Sequence, residues 1–200
     1  MSMITNMYNT EKQAGFALLI SLVVVGVVIS VGLSILDLSI KQVRLSSNAT
    51  ESELAFHAAN AGMECARYWR REEAELIETG QPINPTCFGV SPVSNTVTPI
   101  PTANVAGDGE VFQYQYEFTW GVGTEVRCTS VNMVVASTSA LGMGVTTTAM
   151  TSFIPGYPVR DDTYCPAGSR CSTVSVQGYN LSCANKGGYG VAQREVLVEF

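Results

Sequence analysis

The sequence predicts an α+β chain, in which one long N-terminal helix, apolar in its first half and amphipathic in its second, packs against a C-terminal antiparallel β-sheet stapled by disulfides. Three observations predict it. A 21-residue run without a charge, Phe16 to Leu36, stands near the start. Alternation of apolar and polar residues marks strands in the second half, and six cysteines all lie beyond the apolar run. The chain is 200 residues long, enough for one modest domain plus an appendage. Charged residues make up only 14% and mean hydropathy is +0.18, which points to a segment in lipid. The net charge of −6 supplies no basic footprint, so nucleic acid is not an expected partner.

The apolar run, FALLISLVVVGVVISVGLSIL, would span roughly 31 Å as a helix, the thickness of a hydrocarbon core. Its valines and its two glycines, Gly26 and Gly32, weaken a helix in water. In lipid the helix wins, because it alone satisfies its own backbone polar groups. A secretory signal would be shorter, start positive and end in a small-x-small cleavage site, none of which is present here. Lys12 lies on one side of the run and Lys41 with Arg44 on the other, so the basic residues alone leave the orientation open.

Beyond Asp37 the pattern stays helical with no proline before Pro82. Leu54, Ala58, Ala61, Cys65 and Trp69 recur at helical spacing, giving a stripe of mostly small residues on which a sheet can lie closely. Arg71 and Glu75 are expected to form an i,i+4 pair, and Gly80 followed by Pro82 is the expected stop, so the amphipathic half is expected to run from 37 to 79. From 80 to 110 the chain is rich in Pro, Thr, Ser and Asn, and it reads as a connecting surface loop.

The head is expected over 111–200. VFQYQYEFTW alternates without fault, with Phe112, Tyr114, Tyr116, Phe118 and Trp120 on one face, which makes a strand with one buried face. The row could be a carbohydrate platform, but the small-residue helix stripe needs large partners, and core packing is the better reading. GVGTE provides a turn, and Val126 to Val135 returns as the antiparallel partner. Further strands are expected near Gly144 to Phe153, Ser172 to Gly178 and Gln193 to Phe200.

Six cysteines in a loop-rich domain outside a membrane read as three disulfides, with fifteen connectivities open. Sequence proximity favours Cys165 with Cys171. Cys65 with Cys87 would pin the loop to the helix, and Cys128 with Cys183 would tie the terminal region to the hairpin. No cysteine spacing suits zinc, and no metal or cofactor is expected. Asp108 with Glu110, and Asp161 with Asp162, read as solvated turns rather than Ca²⁺ ligands. His57 is the only histidine and no nucleophile turn accompanies it, so an enzyme is not expected.

Three segments carry a family resemblance. KQAG directly before FALLISLVVVGVVISVGLS resembles the prepilin cleavage site of type IV pilins and related pseudopilins. ELAFHAANAGMECARYW, from Glu53 to Trp69, resembles the helix segment of minor pilins, and GYNLSC from Gly178 with the final REVLVEF is similar to the end of pilin-like chains. The resemblance covers the first seventy residues well and the end loosely. It implies a leader of residues 1–15 removed between Gly15 and Phe16 by a prepilin peptidase, and methylation of the new N-terminus. It also implies a stay in the inner membrane before other pilin subunits and an assembly machinery take up the chain, and an extracytoplasmic head. Most major pilins place a glutamate fifth in the mature chain. Here that position is Ile20, a departure that points to a minor, tip-type subunit. A monomeric membrane-anchored adhesin is the alternative.

Overall fold

A computed structural model describes the backbone from Ile4 to Gly123, Val126 to Pro158 and Asp161 to Phe200, with side chains described from Phe16 onward. The first helix, α1, runs from Ile4 to Glu72, and a short α2 follows at Ala74–Glu78. By its internal packing the chain divides after Asn48 into two units.

The described part of the first unit is helix alone. Every large apolar side chain from Phe16 to Leu45 is exposed. This is the one helix among the described residues that is long and apolar enough to cross a bilayer.

The second unit, Ala49–Phe200, is built on a five-stranded antiparallel sheet. Its strands are β1 (Ser94–Pro99), β3 (Gly109–Trp120), β4 (Arg127–Thr138), β7 (Arg170–Tyr179) and β8 (Gln193–Glu199), side by side in that order. Three shorter strands, β2 (Val105–Gly107), β5 (Val145–Thr148) and β6 (Asp162–Cys165), form a second sheet, where the sequence reading expects only one. The expected hairpin is present: β3 and β4 pair from Gly109↔Thr138 to Trp120↔Arg127, β3 starting two residues before the expected Val111 and β4 shifted to start one residue after Val126 and end three after Val135.

Register explains the core. Tyr114 faces across to Met133, Met133 to Val174, and Val174 to Val198, and one step along Tyr116, Val131, Val176 and Val196 form a second row. These rows share one face of the sheet with Phe118, because side chains two apart along a strand point the same way. Met63 and Ala66 of α1 and Ile77 of α2 close the cluster from above, so the aromatic row is core and not a surface platform. The opposite face is covered at one end only. There Val111, Val134 and Ala136 pack against Ile100, Val145, Met150, Ile154 and Cys165 of the second-sheet layer.

Three expectations need correcting. The helix does not run to Thr79. Glu73 leaves helical backbone at φ −107°, ψ 35°, and this break lets Glu78 return to Arg70, the two side chains meeting at 3.1 Å. Eight residues along a straight helix would hold them about 12 Å apart along its axis.

Second, residues 80–110 are not a plain loop. Ile83 and Cys87 are buried, Phe88 stacks on Trp120 at 4.4 Å between centroids, and the proline-bearing stretch supplies edge strand β1 as well as β2.

Third, the strand expected over Gly144–Phe153 stops at Thr148. Ala149 turns with φ 55° into a four-residue helix, α3 (Met150–Phe153), which drops Met150 into the second cluster.

Candidate functional site

The span from Phe16 to Leu36 has a smooth apolar exterior because its polar groups are turned inward. Ser21 and Ser30 donate their hydroxyls to the carbonyls three residues back, at 2.8 and 2.9 Å. Ser34 donates to Ser30 O at 2.8 Å, and Ser39, just past the span, to Ile35 O at 2.9 Å. A serine bonded to its own helix presents no unmet donor to a bilayer or to a neighbouring helix. Asp37, the first charge, pairs with Lys41 at 2.7 Å, one turn on. The positions of Gly26 and Gly32 are open on this chain, with nothing within 4 Å of where a β-carbon would stand. Gly15 lies in the helical backbone, its surroundings outside the described residues, whereas Phe16 and Ile20 are both exposed on the helix.

The head-facing stripe is offset from the expected one. Ala58 is fully buried, but Leu54, Ala61, Cys65 and Trp69 are only half-buried, and the line of contact runs through Ala55, Ala59, Gly62, Met63 and Ala66. The reason is close backbone approach. A β-carbon on Gly178 of β7 would overlap the α1 backbone at Ala55 and Ala59, and one on Gly62 would stand 2.7 Å from Val176 Cγ1. Thr129 locks this contact, donating its hydroxyl to Ala58 O at 3.1 Å while accepting from Trp120 Nε1 at 2.9 Å. The smallest residues mark the seam, and a reading that ranks positions by hydrophobicity passes over Gly62.

The cysteines pair as Cys65–Cys87, Cys128–Cys183 and Cys165–Cys171, with Cα separations of 6.1, 4.7 and 5.7 Å. The first clips the segment after α2 back onto α1, and Trp69 reinforces it by donating its indole N–H to Thr86 O at 3.2 Å. The second ties β4 to the turn after β7, and the third closes the β6–β7 connection.

Candidate chemistry is sparse. His57 is exposed and stands 3.7 Å from Glu53, one turn away on its own helix. Asp161 accepts from Thr151 N at 2.6 Å and so caps α3. Among the described residues no group of three or more His, Cys, Asp or Glu side chains gathers as a metal site would need, at Asp108 and Glu110 or anywhere else.

The uncovered part of the outer sheet face holds a recess of about 380 Å³ lined by residues such as Gln115, Glu117, Ser130, Asn132 and Gln177. Its polar groups turn largely on one another. Ser130 donates to Glu117 at 3.1 Å, Lys186 pairs with the same carboxylate, and Gln113 donates to Asn132 at 3.0 Å. That is how the solvated face of an antiparallel sheet is expected to look.

No family model matches the chain, and comparison with curated proteins and with solved structures finds no match either.

Proposed function

We propose that the chain is a structural subunit of a type IV pilus or related pseudopilus, of the minor, tip-type kind. It would be cut between Gly15 and Phe16 and assembled by packing of its apolar helix against those of neighbouring subunits. The observation that carries this reading is the extent of the apolar surface. About 20 residues suffice to cross a bilayer, and Phe16–Leu36 already supplies them. Yet Leu38, Ile40, Val43 and Leu45 continue past Asp37, all exposed. A tether has no use for them. Each would gain about 1.5–3 kcal/mol from burial, and a bundle of like helices provides that burial on every side.

Four further features agree with the reading. The inward-bonded serines and open glycines let helices approach closely. KQAG stands directly before the span. Three disulfides suit a head that folds in an oxidising compartment outside the inner membrane. At Ile20 the mature chain would lack the carboxylate that steers most major subunits onto the one ahead, and a subunit at the tip has none ahead.

Filaments sheared from the cell surface provide the test. Blotting with an antibody to the head should find the chain in the sheared fraction, and lose it there when the assembly motor is inactivated. A chain found only in the membrane fraction, with motor and peptidase both active, would be the monomeric anchored adhesin instead.

A further inference from the structure

The head carries an arginine cluster away from the apolar span. Arg70, in the last turn of α1, is buried, with its side chain 8% exposed. Its Nε donates to Ser172 Oγ at 2.8 Å and its Nη1 to Glu78 Oε1 at 3.1 Å. Arg170, at the start of β7, reaches the other oxygen of the same carboxylate through Nε at 3.1 Å. Both Glu78 oxygens are thus engaged, and two guanidinium groups share one negative charge. Arg71 stands on the same wall, and no carboxylate among the described residues pairs with it.

These groups line a recess of about 310 Å³ between the end of α1 and β7, whose remaining walls are Ala74 and Phe200. Its lining holds three guanidinium groups against the one side-chain carboxylate of Glu78, with Phe200 O, which accepts from Ser172 N at 2.7 Å, beside them. The terminal nitrogens of Arg170 and the whole guanidinium of Arg71 have no protein acceptor among the described residues. Planar guanidinium forks match carboxylate and phosphate oxygens two at a time. Glu64 and Glu72 lie on the far side of Arg71, and Glu64 is held there by Arg67 at 3.2 Å. Neither lines this recess.

We propose that this recess binds a small oxyanion, with Arg71 and Arg170 as its ligands and the Arg70–Glu78–Ser172 network as the scaffold that fixes them. The inference is independent of the filament reading, since every group involved belongs to the head.

The test uses the full-length chain in neutral detergent micelles at low ionic strength. Inorganic phosphate, acetate and phosphatidylglycerol doped into the micelle are three separate arms, with chloride at matched ionic strength as the control. The oxyanion should raise the thermal midpoint saturably beyond chloride, and the arm that responds tells free anion from lipid headgroup. Arg71→Gln should weaken binding by calorimetry at least about tenfold, and Arg71→Lys by less, because a bidentate contact is replaced by a point charge. Arg194→Gln, whose side chain bonds Ser52 elsewhere on the head, should bind as the parent does. Arg71 is exposed and clear of the core, so its variants keep the fold, which near-UV circular dichroism verifies. No saturable response in any arm beyond chloride, or equal binding by parent and Arg71→Gln, overturns the proposal.

Discussion

Tyr114 and Tyr116 stand two residues apart on the same face of β3, and both are fully buried, yet their hydroxyls meet different ends. Tyr114 donates to Gln81 O at 2.9 Å, with Ile77 O at 3.1 Å, and so ties the turn after α2 to the sheet. The Tyr116 hydroxyl has no partner among the described residues. A buried donor left unmet costs about 1–3 kcal/mol, whereas a made hydrogen bond gains about 1. Tyr114→Phe should therefore lower unfolding stability by about 1 kcal/mol, and Tyr116→Phe should leave it unchanged or raise it, by urea unfolding of the full chain in micelles. A loss at Tyr116→Phe as large as at Tyr114→Phe would show that Tyr116 has found a partner. Burial pushes the Tyr114 phenol up to about 12, Arg70 pulling it partly back, and raises Tyr116 further. With unfolded tyrosines titrating near about 10, the folded chain holds protons that the unfolded chain releases. That stability is complete below about pH 10 and falls as pH rises through the folded values. At this scale the sequence is partly legible: alternation shows that both rings turn inward, but hydroxyl partners come from α2 and the turn after it, which alternation in β3 does not report.

Elements with a strong period can be read from sequence, and those whose role is to be covered or to cover cannot. The apolar span, the β3–β4 hairpin, β7 and β8 all carry their pattern in the side chains, because each is apolar on every side or on one face. Strand β1 carries none. It is an edge, exposed except at Val97, and an edge tolerates Pro99 and polar residues that a central strand excludes. The second sheet is short, and only one or two inward residues per strand mark it. The seam of α1 is a subtler case, since Gly62 and Gly178 matter by what they lack. Gly178→Ala would drive a methyl group into the α1 backbone and should destabilise the head by about 2–3 kcal/mol or more, as overpacking against an immovable neighbour does. Gly26→Ala, with open space around it, should leave head unfolding unchanged. Chemical denaturation followed by the fluorescence of Trp69 and Trp120 measures both. Equal, small effects would mean that helix and sheet are not in the close contact described.

At the scale of the whole molecule, composition announces the division of labour before any fold is known: a charge-poor apolar segment first, and all six cysteines after it. The structure adds that large apolar side chains stay exposed from Phe16 to Leu45, beyond the roughly 20 residues that a bilayer crossing needs, and that the head is a disulfide-stapled sheet seated on the end of α1, from Ala55 to Arg70. The arginine recess could not be read along the chain, because Arg70, Glu78 and Arg170 come together only through the break at Glu73 and the placement of β7. Assembly through the apolar helix requires that the helix begin at a new terminus, free of the polar leader with Glu11 and Lys12. The intact mass of the chain isolated from cells with an active prepilin peptidase tests this most directly. The expected product has lost 15 of the 200 residues and begins at Phe16. A chain recovered with Met1 still attached would contradict the account and leave the helix a permanent membrane tether.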